Sequence, residues 1–204
     1  SFLYFMKECD RLKYVSSGKV SYIYDKWLDT DLLPYLDDEL RRKEPRKLII
    51  LHTVGSHWDY NTHFTDEYQK FIPVTNSKIL SSNTFEQIRN SYDNTILFSD
   101  YFWNQVIKRL KKRNAVLIYL SDHGECMGED GHFIHGSVDN EPQHLPGCFV
   151  WYSDIFASKY HDKVDALLFN KDKRYKSYFL FHSILDAADI KTKYIDNHLN
   201  IFTR

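Results

Sequence analysis

Apolar residues along this chain fall into two patterns, short unbroken runs and longer stretches with a three- and four-residue beat. Residues 47–54 (KLIILHTV) are a continuous run after the charged stretch 41–46, which suits a strand buried on both faces. Residues 115–120 (AVLIYL) form a second such run, behind the basic cluster 111–113, and 147–152 (GCFVWY), entered through Pro146, a third. Between the first two runs, Ile88, Tyr92, Ile96, Trp103, Ile107 and Leu110 recur mainly at helical steps, predicting a helix over about 84–113. Asn83 or Thr84 can cap it, and the basic residues at its end complement the helix dipole. Shorter helices are expected at about 30–42 and 174–188. Strand, helix, strand in this order predicts an α/β sheet covered by helices.

Composition narrows the function classes only a little. At 204 residues, with no internal repeat and no clear linker, the chain is most naturally one domain with a real core. Lys+Arg 27 against Asp+Glu 28 argues against a broad nucleic-acid surface, which needs a basic face. No apolar run reaches the roughly 20 residues of a membrane span, and no signal-like segment opens the sequence. Cys9, Cys126 and Cys148 lack the paired spacing of a zinc finger and read as small buried residues.

Chemistry concentrates where the runs end. In open α/β sheets, ligands bind beyond the carboxyl ends of strands. One run leads into Leu51-His52-Thr53-Val54-Gly55-Ser56-His57-Trp58, another into Leu120-Ser121-Asp122-His123-Gly124-Glu125. Gly128, Glu129, Asp130, Gly131, His132 and His135 follow the second. Adjacent Asp122 and His123 offer a hard carboxylate and an imidazole to one zinc ion, and Gly124 lets the backbone turn sharply. His135 returns over the site from a glycine-punctuated loop, and His57 approaches from the neighbouring strand. His52 reads as a core histidine, His132 as a solvated loop residue, and Glu125 as an orienting or structural carboxylate. His63, His144, His161, His182 and His198 read as surface or packing residues. On these grounds alone a metal site and an ordinary polar loop stand equally open.

The same segments carry a resemblance. LHTVGSH at 51–57, NSYDNTILFSDYFWNQVIKRL at 90–110 and YLSDHGECMGEDGHFIHG at 119–136 resemble the phosphoethanolamine transferases of bacterial envelopes. These belong to the sulfatase and alkaline-phosphatase superfamily, and the likeness runs from about Val20 to about Lys193. It implies an alkaline-phosphatase-like three-layer αβα sandwich with a mostly parallel central sheet, incomplete here. It also implies Zn2+ held by Asp122 and His123, with His57 and His135 handling the phosphoryl group or a second metal. By the same resemblance, a threonine nucleophile takes phosphoethanolamine from phosphatidylethanolamine and passes it to lipid A or a lipopolysaccharide-core sugar. The setting implied is the periplasmic face of the bacterial inner membrane, with an N-terminal membrane domain.

Departures qualify that expectation. No segment reads as the nucleophile strand with its acidic zinc ligand, so the chain is expected to be the C-terminal portion of a single catalytic domain. Both nucleophile and membrane helices would then lie outside it, and little turnover is expected of the chain alone. Thr53 and Ser56 do not stand where the motif puts the nucleophile, and Cys126 reads as packing. Trp58-Asp59-Tyr60 departs from the family's Gly/Pro-rich continuation, which leaves the acceptor open. Two alternatives remain: a sulfatase or phosphodiesterase of the same superfamily, and a non-catalytic domain that binds phosphorylated headgroups.

Overall fold

The beat at 30–42 resolves into a 3-10 turn, Asp29–Leu32, running into helix α1, Leu33–Arg41, which buries Leu33, Leu36 and Leu40. These are the first elements in a computed structural model that describes residues 7–15, 25–136 and 140–204. Helix α2, Phe85–Leu110, fulfils the 84–113 expectation. Thr84 Oγ1 accepts from the Gln87 amide at 3.2 Å, and Gln87 Oε1 accepts from the Thr84 amide at 2.8 Å. This reciprocal pair satisfies amides that the first turn leaves without partners. Lys108 and Arg109 sit in the last turn, against the negative end of the dipole.

The buried face of α2 is rotated from the stripe read in sequence. Ile96 is 45% exposed, whereas Ser91, Asn94 and Thr95 are buried beside Ile88, Phe98, Phe102 and Val106. The polar members are there to hold a loop. Asn94 Oδ1 accepts from the Lys70 and Phe71 amides at 2.8 and 2.9 Å, Asn94 Nδ2 donates to Phe71 O, and Ser91 Oγ accepts from the Thr75 amide. Such bonds offset the cost of burying polar groups and make a polar helix face a packing face.

Four strands are present among the described residues: β1 (Val116–Leu120), β2 (Cys126–Met127), β3 (Phe133–Ile134) and β4 (Cys148–Tyr152). β1 pairs with β4 and β2 with β3, both antiparallel. The runs 115–120 and 147–152 are thus strands as expected. The mostly parallel sheet is not represented in these ladders, and 47–54 does not form its expected strand. That run joins no ladder among the described residues, and Leu48 and Ile50 are 64% and 50% exposed. An apolar run becomes a strand only where a neighbour takes its ladder bonds. Here the amides closing it, Val54 and Gly55, turn instead onto the Asp29 carboxylate. His52 is consequently exposed rather than a core residue.

The chain divides into two compact units, one of Ser1–Val106 with Asp122–Pro146, the other of Ile107–Ser121 with Gly147–Arg204. In the second, Val116, Ile118 and Leu120 of β1 and Val150 and Tyr152 of β4 pack on a core of Phe156, Leu167, Phe179, Ile201 and Phe202. That face follows from the two-residue period of a strand; Tyr119 and Phe149, out of phase with it, stack at 5.1 Å. Of that core, Phe156, Leu167 and Phe179 come from α3 (Asp154–Lys159), α4 (His161–Asn170) and α5 (Phe179–Ala187), and Ile201 and Phe202 from the turn after them. Neither α3 nor α4 stood out in the hydrophobic pattern, and α5 is shorter than the 174–188 expectation. Of the cysteines only Cys126 is buried; Cys9 is exposed, and so is Cys148, which opens β4 at the end of its ladder. No helix among the described residues is long and apolar enough to cross a membrane.

Candidate metal centre

Two segments of the first unit bring histidines together. The first begins where 47–54 ends. Val54 and Gly55 donate to the Asp29 carboxylate at 2.9 and 3.2 Å, and Gly55 takes a φ of +60°, a left-handed turn that glycine makes without strain. Ser56 Oγ then accepts from buried Thr95 at 2.6 Å. His57 follows, with Nδ1 2.6 Å from Trp58 O. A carbonyl only accepts, so Nδ1 carries the proton and Nε2 presents the lone pair.

The second segment starts with Asp122-His123. His123 Nδ1 lies 2.8 Å from Gly124 O, which fixes its tautomer in the same way. The strands β2 and β3 pair Cys126 with Ile134 and Met127 with Phe133, so the chain folds back and delivers His135 beside His123. The two rings stand 3.9 Å apart, centroid to centroid, at 39°. Glu125 completes a triangle. Its Oε1 is 3.4 Å from His135 Nδ1, and one donor atom from each of His123, Glu125 and His135 lies within 4.8 Å of the others. The His57 ring stands 6.0 Å from that of His135.

Burial holds the Glu125 carboxyl above its ordinary range, against the opposing pull of His135, then His123 and His57. Only 8% of its side chain is exposed, so this is a carboxylate held among imidazoles rather than in water. Tyr60 is fully buried; desolvation, and next the charge of Glu125, hold its hydroxyl neutral, and its oxygen lacks a hydrogen-bond partner among the described residues.

The expected site residues are thus placed unequally. His57, His123 and His135 converge. Asp122 lies outside the triangle: its side chain is 89% exposed, with Oδ1 3.8 Å from His123 Nε2 and 3.1 Å from the His123 amide. Glu125, read in sequence as an orienting or structural carboxylate, places an oxygen beside the donor atoms of His123 and His135. A signal for it was present, since His123 and Glu125 are two residues apart and extended backbone sends such residues to one side. Asp29 carried no signal at all, because its partners are backbone amides 25 and 26 residues away. Gly124 is needed less for turning than for approach: a Cβ there would sit 2.0 Å from Pro142 O. His63 is a buried packing histidine, with Nδ1 3.0 Å from Trp27 O, and His132 is exposed. A cavity of about 350 Å³ lined by Lys13, Tyr35, Asp38, Glu39, Arg41 and Arg42 contains none of these groups.

Two imidazoles and a carboxylate within coordinating reach are the donor set zinc favours, so the residues present fit such an ion.

Comparison with known proteins supplies the family. The sulfatase family model matches residues 3–190. The phosphoethanolamine transferase EptA of Escherichia coli is 31% identical over 177 residues, 81% of this chain and 32% of that protein. The soluble domain of lipooligosaccharide phosphoethanolamine transferase A from Neisseria meningitidis superposes with a TM-score of 0.83 at 28% identity, covering 93% of this chain and 60% of that one. The C-terminal periplasmic domain of EptC from Campylobacter jejuni gives 0.79 at 31% identity, over 96% and 62%. The chain therefore has the alkaline-phosphatase-like α/β fold in incomplete form, and spans about a third of the length of the curated relative.

Proposed function

This chain belongs to the sulfatase family, and from that premise we propose that it carries the metal-binding part of a phosphoethanolamine transferase acting at the bacterial envelope. One observation bears most of the weight: His123, Glu125 and His135 converge in a chain whose relatives are named phosphoethanolamine transferases. The parent protein moves phosphoethanolamine from phosphatidylethanolamine to lipid A or a core sugar, at the periplasmic face of the inner membrane. A threonine hydroxyl outside these residues attacks phosphorus, the bond from phosphorus to the glycerol oxygen breaks, and diacylglycerol leaves with the proton. The acceptor oxygen then attacks the same phosphorus and releases the threonine.

His123, Glu125 and His135 hold the metal, with Asp122 beside His123 able to join them as the exposed carboxylate of the pair. Bound there, Zn2+ supplies positive charge that lowers a hydroxyl's pKa and offsets charge on phosphoryl oxygens. His57, its proton kept on Nδ1 by Trp58 O, presents Nε2 to the same region and accepts or returns a proton from the transferring group. Its neighbour His135 limits the space open to that group.

The test is zinc stoichiometry of the purified chain by elemental analysis, beside Asp122→Ala, His123→Ala and Glu125→Ala. We expect zinc to be retained by the wild type, lost with His123 or Glu125, and weakened with Asp122. Equal zinc in all four proteins, or none in any, sinks the site. In the parent protein, His123→Ala should abolish headgroup release from phosphatidylethanolamine, whereas release of sulfate from an aryl sulfate would favour the sulfatase reading. The 204-residue chain alone should release no headgroup.

A further inference from the structure

We propose that Gln143 is a positioning residue that sets the separation of His123 and His135, and so the affinity of the centre for a divalent cation such as zinc. The affinity half of this inference rests on the metal-site reading above; the positioning half does not.

Gln143 lies in the 3-10 turn Glu141–His144, away from the His123-to-His135 loop in sequence. It bonds to that loop twice. Its backbone oxygen accepts from the Gly124 amide at 2.8 Å, directly after His123. Its side-chain Oε1 accepts from the Gly136 amide at 3.0 Å, directly after His135. One residue thus holds the chain immediately beyond both imidazoles. On the other side of His135, Ile134 is held by its pairing with Cys126. His135 is therefore fixed from both directions, by a ladder before it and by the glutamine after it.

The two segments approach too closely to leave room for a side chain at Gly124. A Cβ on Gly124 would fall 2.0 Å from the carbonyl oxygen of Pro142, the residue preceding the glutamine. The His123 side of the contact thus has no slack, so a bond lost between Gln143 and Gly136 is taken up on the His135 side.

The amide nitrogen supplies an independent argument. Gln143 Nε2 is buried and has no hydrogen-bond partner among the described residues. A half-satisfied buried amide is a poor choice for stability alone, and an apolar side chain of the same length serves folding as well or better. What only the amide oxygen provides is the acceptor for Gly136. Gly136 itself is exposed, so its amide can turn to water if that acceptor goes. Loss of the bond therefore frees His135 without unfolding the unit.

Two variants separate these roles. Gln143→Met keeps length and removes the acceptor, and Gln143→Glu keeps an acceptor oxygen. The readouts are the NOE between the His123 and His135 ring protons in metal-free protein, zinc affinity by chelator competition, and the melting temperature without metal. We expect the wild type to show the cross-peak, Gln143→Met to lose it, and Gln143→Glu to restore it. Zinc affinity should fall about tenfold or more in Gln143→Met and stay within about threefold in Gln143→Glu. Melting of the metal-free Met variant should move by less than about 4 °C. A Met variant that keeps both cross-peak and affinity overturns the proposal. So does equal loss in both variants, or a large drop in metal-free melting, either of which makes the residue merely structural. A wild type that takes up no zinc, yet shows the Gln143-dependent cross-peak, removes the metal reading and leaves the positioning role in place.

Discussion

Gly124 and Asp29 are the single residues on which the centre's geometry leans hardest. For Gly124 the expected cost of an added methyl is that of overpacking against backbone that cannot step aside, since a Cβ meets Pro142 O at 2.0 Å. Gly124→Ala should lower stability by about 1–3 kcal/mol in urea unfolding and weaken zinc binding with it. An unchanged midpoint would mean that the two segments separate readily. Asp29 makes a pH prediction. Burial pushes its carboxyl up to about 6, against the opposing pull of the Val54 and Gly55 amides. Below about pH 4 the carboxyl is protonated in both the folded and the unfolded chain. Above that the unfolded chain ionises first, so stability falls as pH rises to about 6 and then levels, a change of roughly 3 kcal/mol at most. Asp29→Asn should remove that slope, and the difference between the two unfolding profiles over this range checks it. At the candidate centre, His123 was legible because Asp-His-Gly directly after an apolar run is a local pattern, whereas His57 and His135 were raised above ordinary loop residues by the family resemblance. Asp29 and Gln143 were not legible, because their work is to accept from backbone amides, which every sequence possesses and none advertises.

Among the elements, α2 was the most legible, and for a physical reason. Its period, its Thr84-Gln87 cap and its basic last turn all point to helix. Thr84→Ala should cost about 1 kcal/mol, measured by thermal or urea unfolding, and a loss under a few tenths would mean that water replaces the cap. The face of α2 was less legible than its existence, because Ser91, Asn94 and Thr95 are buried for their hydrogen bonds and not for hydrophobicity. The run at 47–54 shows the opposite failure. Its composition is that of a buried strand, but burial and pairing are supplied by neighbours, and among the described residues it has no ladder. Where strands did form, at β1 and β4, the two runs supply each other's partner. Helix α3 escaped notice because it is six residues long, with the Ser153 cap as its start signal, the Oγ accepting from Phe156 at 3.1 Å; α4 buries Ala166, Leu167 and Asn170, too few apolar positions to set a beat.

For the molecule as a whole, the run 47–54, which joins no ladder among the described residues, is a liability. Leu48 and Ile50, 64% and 50% exposed in a run of strand-like composition, offer apolar surface to another chain. The purified 204-residue chain should associate as its concentration rises, and Leu48→Lys with Ile50→Lys should suppress that by placing charge on the strand. Light scattering decides it, and a monodisperse monomer at all concentrations would show that the run is covered by other means. A different consequence follows from where the donors lie along the chain. His123, Glu125, His135 and the glutamine that spaces them all fall between Asp122 and Leu145, whereas His57 comes from far upstream. Heredity therefore handles them as two parcels. A gene exchange that keeps the later stretch whole carries the proposed metal centre into a new background, and a breakpoint inside that stretch separates its donors. On the proposed function, His57 can be altered or lost on its own, so descendants can change the handling of the transferring group while keeping the proposed ion site.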